Sequence, residues 1–214
     1  MYISWYGLDC LKIENKTNQN ETCLLTDPFD AKAVGLKLPR SLRADILVQS
    51  RPDKELAKTV EETKDGDGLF VINSAGEYEK GGVFVTGLKI DHQDHFVYTF
   101  ETEGLHLFYC GALHRLPTEQ ELENIENIDV LFVPVGGGGA LAAKEAAELV
   151  SALEPRVVIP LHYHLPGLKT KLEGLDAFLK IMGAKSPETS NKIKIVKKDL
   201  PQEETKILLL SPND

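Results

Sequence analysis

The chain has 214 residues, of which 42% are hydrophobic and 27% charged, which is typical of a globular protein and excludes a disordered or fibrous one. This length predicts one domain spanning residues 1–214. A net charge of -9 would repel a phosphate backbone, so nucleic acid is not an expected partner. No apolar run reaches the roughly 20 residues that cross a bilayer, and the N-terminus lacks a signal-peptide pattern, so no membrane partner is expected either.

The cysteines indicate the compartment. Cys10, Cys23 and Cys110 form neither an even set nor a C-x-x-C pair. This pattern fits reduced thiols that pack as small buried side chains. We therefore expect a cytoplasmic protein.

Short β-type segments fill the first half of the chain. Turn residues separate them, including those at 18–20 and 65–68 and the pair Gly81-Gly82. Such a succession favours antiparallel sheet. The segments are residues 2–6, 10–13, 22–26, 46–48, 69–72, 83–90, 96–100 and 105–109.

The second half alternates between helix and strand, which favours parallel pairing. In the predicted helix 142–153, Ala146, Val150 and Leu153 share one face, so that face is expected to lie on a sheet. Two packed sheets with helices on their outer faces would accommodate both halves. The predicted elements are helix 118–125, strand 130–135, helix 142–153, strand 157–160, helix 172–182, and closing strands over 193–196 and 207–210.

Four separated blocks carry a resemblance to a known family. They are Ile-Ser-Trp-Tyr-Gly-Leu-Asp-Cys-Leu at 3–11, Thr-Asp-Pro-Phe at 26–29, Gly-Glu-Tyr-Glu at 76–79, and the span 129–168 that contains Pro160-Leu161-His162-Tyr163. In these blocks the chain resembles the metallo-β-lactamase-fold metal-dependent hydrolases, particularly the ascorbate-6-phosphate lactonase-like branch. The resemblance implies an α/β fold, a four-layer αβ/βα sandwich of two mixed β-sheets flanked by helices, and a homo-oligomer.

The resemblance also implies a site whose ligands can be counted. In the family, two divalent metal ions lower the pKa of bound water, which then attacks a lactone, ester or phosphoester. The main ligand motif, H-x-H-x-D-H, should follow the strand 46–48. There Gln49, Arg51 and Lys54 replace the three histidines, and Asp53 alone matches.

The other ligand positions are also substituted. Tyr109 stands for a ligating His, Ala112 for the bridging Asp, and Leu8 for the His of the first hairpin, while His162 keeps its expected identity. Even one catalytic zinc ordinarily takes three protein ligands. The sequence therefore predicts no resident metal or other cofactor, and we assign no catalytic residue. We interpret the chain as a noncatalytic member, a pseudoenzyme that binds a small ligand or a protein.

A small anion is one expected ligand. Arg51, Lys54 and Arg115 are predicted to ring the former metal cavity, and arginine forks match carboxylate and phosphate oxygens. Alternatively these cations form salt bridges with Asp53, Glu55 or Glu77 and plug the cavity. The predicted ligand-binding residues are Arg51, Asp53, Lys54, Tyr109, Ala112 and His162.

Further alternatives stay open. One is a metal-dependent hydrolase with zinc or another divalent ion in a site rebuilt from His162, His164 and His114. Another is a structural subunit that assembles with an active homologue. Two motifs have simpler interpretations: residues 136–139 (four glycines) predict a tight strand-to-helix turn rather than an anion cradle, and residues 91–95 predict a polar hairpin rather than a metal site.

Overall fold

The computed structural model describes residues 1–16, 21–63, 68–90, 94–123, 125, 127–185 and 187–213. The predicted turn at 18–20, most of the turn at 65–68, and residues 91–93 of the predicted hairpin lie outside the described residues. In chain order the strands are β1 (Tyr2–Gly7), β2 (Cys10–Lys16), β3 (Glu21–Thr26), β4 (Leu42–Ala44), β5 (Ile46–Val48), β6 (Val60–Glu62), β7 (Phe70–Ile72), β8 (Gly76–Lys80), β9 (Val83–Lys89), β10 (Phe96–Thr102), β11 (Leu105–Tyr109), β12 (Val130–Pro134), β13 (Val157–Leu161), β14 (Thr189–Ser190), β15 (Lys192–Lys194), β16 (Lys206–Ile207) and β17 (Leu209–Leu210).

Two large mixed sheets form the centre of the fold. The first has the strand order β15-β1-β2-β3-β5-β7 and the second the order β16-β13-β12-β11-β10-β9-β8. In the first sheet β15, β1, β2 and β3 pair antiparallel, whereas β3, β5 and β7 pair parallel. In the second, β8 to β11 are antiparallel and β11, β12, β13 and β16 are parallel. The predicted parallel pairing of the second half is confirmed. The prediction of antiparallel sheet for the first half is wrong for β3, β5 and β7, which pair parallel because about 20 residues separate each from the next, enough for a crossover connection.

The main core contains inward-facing side chains from both large sheets. Trp5 and Leu11 of the first sheet and Phe100 and Phe132 of the second belong to one cluster of buried residues. A smaller cluster, which includes Leu25 and residues near the short helices, packs against β3 and β5. The α/β fold with two mixed sheets that the sequence predicts is therefore confirmed.

The helices are few and mostly short. They are α1 (Ala31–Val34), α2 (Lys54–Ala57), α3 (Glu119–Leu122), α4 (Ala143–Leu153) and α5 (Asp176–Ile181). Helix α4 buries Ala146 and Val150 as the three- and four-residue spacing predicts. Within the described residues, no helix is both long and apolar enough to cross a membrane.

Two predicted helices are shorter in the structure. Helix α3 has a Thr118–Glu121 capping box but ends at Leu122, after which Ile125 turns into the core. Helix α5 begins at Asp176 rather than at residue 172, because Glu173 uses its backbone N–H and C=O to bond Gly136 and His164. Long-range backbone pairing thus replaces the first turn of the predicted helix.

A phenylalanine pair tests the position of the core. Phe132, on the central strand β12, is fully buried, whereas Phe84, on β9 of the same sheet, is 58% exposed. We expect Phe132→Ala to lower the free energy of unfolding by about 3–5 kcal/mol and Phe84→Ala to change it by about 0.5 kcal/mol or less. Urea denaturation would measure both, and similar losses would contradict the described packing.

Candidate functional site

Residues that follow five strands come together at one end of the two sheets. They are Asp9 after β1, Asp27 after β3, residues 49–51 after β5, residues 110–112 after β11, and His162 after β13. The backbone contributes to this convergence, since Asp27 and His162 have φ values of 32° and 52°. Such left-handed conformations are uncommon for residues other than glycine, so contacts of this end must hold them.

Asp9 and His162 form a buried pair between the sheets. The Nδ1 atom of His162 lies 2.6 Å from Oδ2 of Asp9, and the backbone N–H of His162 donates to the carbonyl of Leu8 over 3.2 Å. Burial disfavours protonation of the imidazole, but the Asp9 carboxylate outweighs it, so the pKa of His162 is raised. His162 thus tends towards the imidazolium form, with Asp9 as its counter-ion.

Tyr109 connects the same end of the sheets through its hydroxyl. This oxygen lies 2.8 Å from the Asp9 carbonyl oxygen and 2.5 Å from Oδ2 of Asp27, whose Oδ1 accepts from the Ser50 backbone N–H over 2.8 Å. Burial and the neighbouring Asp9 charge raise the pKa of Asp27 to about 7. A phenol has one proton and a carbonyl can only accept. Both contacts are hydrogen bonds when the Asp27 carboxyl is protonated. The carboxyl then donates to the Tyr109 oxygen, and the Tyr109 hydroxyl donates to the Asp9 backbone carbonyl.

Arg51 lies beside this cluster and is held along one edge. Its Nε donates to Nδ1 of His95 and its Nη2 to the carbonyl of Ala112, each over 3.3 Å. His95 is 1% exposed, and its Nε2 lies 3.4 Å from the carbonyl oxygen of Cys110. The Arg51 charge acts to lower the pKa of His162, so the two side chains share one electrostatic environment.

The other residues at the predicted H-x-H-x-D-H positions have local structural surroundings. The Asp53 carboxylate caps α2 by accepting from the backbone N–H groups of Glu55 and Leu56 over 2.9 and 3.0 Å. The Gln49 side-chain amide donates to the Asp53 carbonyl over 2.9 Å, and Lys54 is exposed at the first position of α2. Ligand contacts of Asp53 and Lys54 stay predictions.

Arg115 has acidic partners of its own. Its Nη1 and Nη2 donate to the two carboxylate oxygens of Glu121 over 2.9 and 2.8 Å, and further contacts go to the carbonyls of Leu116 and Ile90. This pairing lowers the pKa of Glu121 to about 2. Arg115 therefore differs from Arg51, which lacks a carboxylate partner in the part of the chain that is described.

The alternative of a salt-bridge plug finds no support in the described residues. Glu55 pairs with Lys58 over 2.7 Å, and Asp53 serves as the helix cap. No described ion pair joins Arg51 or Lys54 to either of them. Among the described residues, Arg51 therefore has no direct contact with a carboxylate.

The three histidines of the alternative metal site have different surroundings. His114 packs edge-on against His95, with ring centroids 5.8 Å apart, whereas the His164 backbone N–H donates to the carbonyl of Glu173 over 2.8 Å. Over the residues that the structure covers, no three His, Cys, Asp or Glu side chains gather as a group that could hold a metal ion.

The donor set does not fit the family's metal pair. Gln49 supplies an amide engaged with the Asp53 backbone, Arg51 a cation, Tyr109 a hydroxyl that hydrogen-bonds within the protein, and Ala112 a methyl group. Of the predicted ligand positions, Asp53 and His162 keep the expected residue type, and the Asp53 carboxylate is engaged as the cap of α2. We derive no chemical step through a metal from this arrangement.

The glycines at 136–139 form the tight connection that the sequence predicts. The Gly136 N–H donates to the His162 carbonyl, and that of Gly137 to the Leu141 carbonyl, over 3.0 Å each. A Cβ on Gly136 would lie 2.3 Å from the His162 carbonyl oxygen, so only glycine allows the approach. The loop thus supports the backbone of His162.

A family model described as a β-lactamase superfamily domain matches residues 2–162. The chain belongs to this superfamily. Its fold is the metallo-β-lactamase fold, as shown by a crystal structure from Thermotoga maritima of a proposed Zn-dependent hydrolase of the metallo-β-lactamase superfamily, which is 31% identical with a TM-score of 0.80 and covers 98% of this chain and 97% of the other.

The names of curated relatives agree with this superfamily. A UPF0173 protein of Pyrococcus furiosus is 28% identical over 182 residues, covering 76% of this chain and 83% of the relative. A UPF0173 metal-dependent hydrolase of Lysinibacillus sphaericus is 24% identical over 200 residues, covering 77% and 86%. Relatives of this family are thus named as metal-dependent hydrolases. These names point to a divalent metal. The resemblance to the lactonase-like branch stays a prediction.

The sequence interpretation missed three residues of the cluster. Asp9 is a charged residue within the block 3–11 that carries the resemblance, so its charge was an available signal. Asp27 lies in the Thr-Asp-Pro segment, which the sequence linked to the family but not to a side-chain role. His95 lies in the predicted polar hairpin 91–95, whose residues 94 and 95 are described and whose His95 is buried.

The substitution Asp27→Asn tests whether the Asp27 carboxyl is protonated in the native state. In the unfolded chain the carboxyl has a pKa of about 3.9, whereas the folded value is raised to about 7, so between these values the native state binds the extra proton. Wild-type stability should therefore fall as pH rises through this window, by at most about 1.4 kcal/mol per pH unit from this group. The Asp27 charge also helps to raise the pKa of His162, so the contribution of His162 is smaller in Asp27→Asn than in the wild type.

The neutral asparagine should gain stability relative to wild type from about pH 4 to 7, with the difference constant above pH 7. Urea denaturation at several pH values would measure it. Asp199→Asn, which alters an exposed carboxylate, provides the control. A difference that does not vary with pH would show that Asp27 is ionised in the native state.

Proposed function

We propose that this chain binds a small anionic molecule in the former metal cavity and does not catalyse hydrolysis. The observation that supports the proposal is the state of Arg51. It occupies a ligand position of the family motif, lies close enough to His162 to influence its pKa, and has no carboxylate partner within the described residues. An exposed guanidinium without a carboxylate partner is suited to bind an oxyanion.

The charges of the cluster favour the same function. Asp9 is balanced by His162, and the raised pKa of Asp27, about 7, reduces the negative charge of that carboxyl near neutral pH. The charge of Arg51 is then in excess locally, although the whole chain has a net charge of -9. An anion would be attracted to this end of the sheets and repelled elsewhere.

A metal-dependent hydrolase is the second candidate, and one observation favours it. Oδ1 of Asp9 is buried without a hydrogen-bond partner in the described structure, beside the imidazole of His162. A carboxylate oxygen and an imidazole are ligands that zinc takes, but a third protein ligand is ordinarily required. The names of the relatives agree with this candidate. Assembly with an active homologue remains a further proposal.

Anion titration tests the first candidate. We expect inorganic phosphate or malonate to raise the Tm of the wild-type protein, at constant ionic strength, by about 5–10 °C when the anion is at one hundred times its Kd. Arg51→Gln should remove most of this shift. Lys198→Gln, which removes an exposed charge in the 3-10 turn after β15, should retain it. Equal shifts in wild type and Arg51→Gln would refute binding at Arg51.

Metal analysis separates the two candidates. Protein purified without added metal or chelator should contain far less than one equivalent of zinc, iron or manganese. A variant in which Gln49, Arg51, Lys54 and Tyr109 become His and Ala112 becomes Asp should gain metal, because it restores the family's donors. One equivalent of metal in the wild-type protein, lost in His162→Ala, would favour the hydrolase instead.

A further inference from the structure

We propose that Arg51 binds its anion with the end of the guanidinium formed by Nη1 and Nη2, and that His95 is the positioning residue that sets this orientation. The inference rests on the proposed anion-binding function. It restricts the ligand to molecules with two oxygens on one centre, which means a carboxylate or a phosphate group. A monatomic anion such as chloride has no such pair.

The hydrogen bonds of Arg51 determine which part of the guanidinium is available. A guanidinium has one N–H on Nε and two on each terminal nitrogen. The lateral edge, formed by Nε and Nη2, donates to His95 and to the carbonyl of Ala112. The contacts described for Arg51 use two of its five N–H groups, both on this edge. The terminal edge therefore faces no protein acceptor in the described structure.

His95 is suited to hold this edge in place. Its ring is buried, so the side chain cannot move away without opening the core. Its Nε2 faces the carbonyl oxygen of Cys110, which can only accept, so this nitrogen bears the ring proton. The Nδ1 atom then bears a lone pair, with which it accepts from Nε of Arg51.

Residues 110–112 position Arg51 in two ways. The Ala112 carbonyl accepts directly from Arg51, whereas the Cys110 carbonyl contacts Nε2 of His95, which in turn accepts from Arg51 through Nδ1. Gly111 between them has a φ of 54°, and a Cβ there would lie 2.4 Å from the Ser50 side chain. Close packing of residues 110–112 on the segment after β5 therefore fixes the arginine relative to the cavity.

A groove on the other side of the first sheet has cations of a different kind. This groove, of about 640 Å³, is lined by Lys12, Glu14, Lys192 and neighbouring residues. Both lysines form ion pairs with Glu14. The two lysines share this one carboxylate, so the groove is a competing positive site, and Lys192→Gln serves as the control for anion binding there.

Isothermal titration with inorganic phosphate and with malonate, at an ionic strength held constant with sodium chloride, tests the orientation. Arg51→Lys keeps the charge but loses the fork, and we expect the Kd to rise about tenfold or more because one of two charge-assisted hydrogen bonds is lost. Arg51 is exposed, so this variant should fold normally. The anion with the lower wild-type Kd identifies the ligand as a phosphate or a carboxylate.

His95 variants test the positioning role. His95→Leu removes the acceptor, and we expect a similar rise in Kd although Arg51 is intact. His95→Gln can still accept from Nε through its side-chain oxygen and should restore most of the affinity. Lys192→Gln should bind like wild type. Circular dichroism and Tm would establish that each variant is folded, and a His95 variant that does not fold leaves the test to Arg51→Lys.

The outcomes distinguish the two levels of the proposal. If neither anion binds the wild-type protein, anion binding and the orientation both fail. If wild type binds and Arg51→Gln does not, while Arg51→Lys and His95→Leu keep wild-type Kd values, anion binding stands and the oriented fork is refuted. Binding that disappears in Lys192→Gln places the anion in the outer groove and refutes both.

Discussion

The end of the two sheets depends on a set of hydrogen bonds that crosses between them. The Asp9–His162 pair and the Tyr109–Asp27 contact each join the first sheet to the second. Buried carboxylates need compensation by a cation or a proton, because removing a charge from water is costly. Here the compensation comes from the imidazole beside Asp9 and from a proton on Asp27. The same groups close this end of the sandwich beside the exposed Arg51.

The hydrogen bonds between the sheets are accompanied by strained backbone conformations. Leu8, Asp27 and His162 all have positive φ values, and all lie directly after the strands that meet at this end. Each such conformation costs of order 1 kcal/mol for a residue other than glycine. The strained turns are what bring Asp9, Asp27 and the imidazole within hydrogen-bond distance. The polar cluster and the strained turns therefore stabilise each other.

The sequence predicted the fold better than it predicted the site. Strand pairing and helix α4 follow from local periodicity and from ordered motifs, which are legible along the chain. The shortened α5 was not predictable, because Glu173 bonds to Gly136, 37 positions away. The predicted substitution of metal ligands was argued residue by residue along the chain, whereas the contacts that these residues make depend on the fold. Asp9 and His162 are separated by 153 positions, and only the folded sheets bring them together.

Arg51 links the lost chemistry with the proposed one. A divalent metal does two things for a hydrolase: it binds an oxyanion, and it lowers the pKa of a water molecule to make a nucleophile. A guanidinium can do the first through paired N–H donors, but it has no site for water and cannot do the second. Arg51 is held by His95 and Ala112, and under the proposed function it recognises an anion at this end of the sheets. Under the proposed function, substitution of the metal ligands thus separates recognition from hydrolysis.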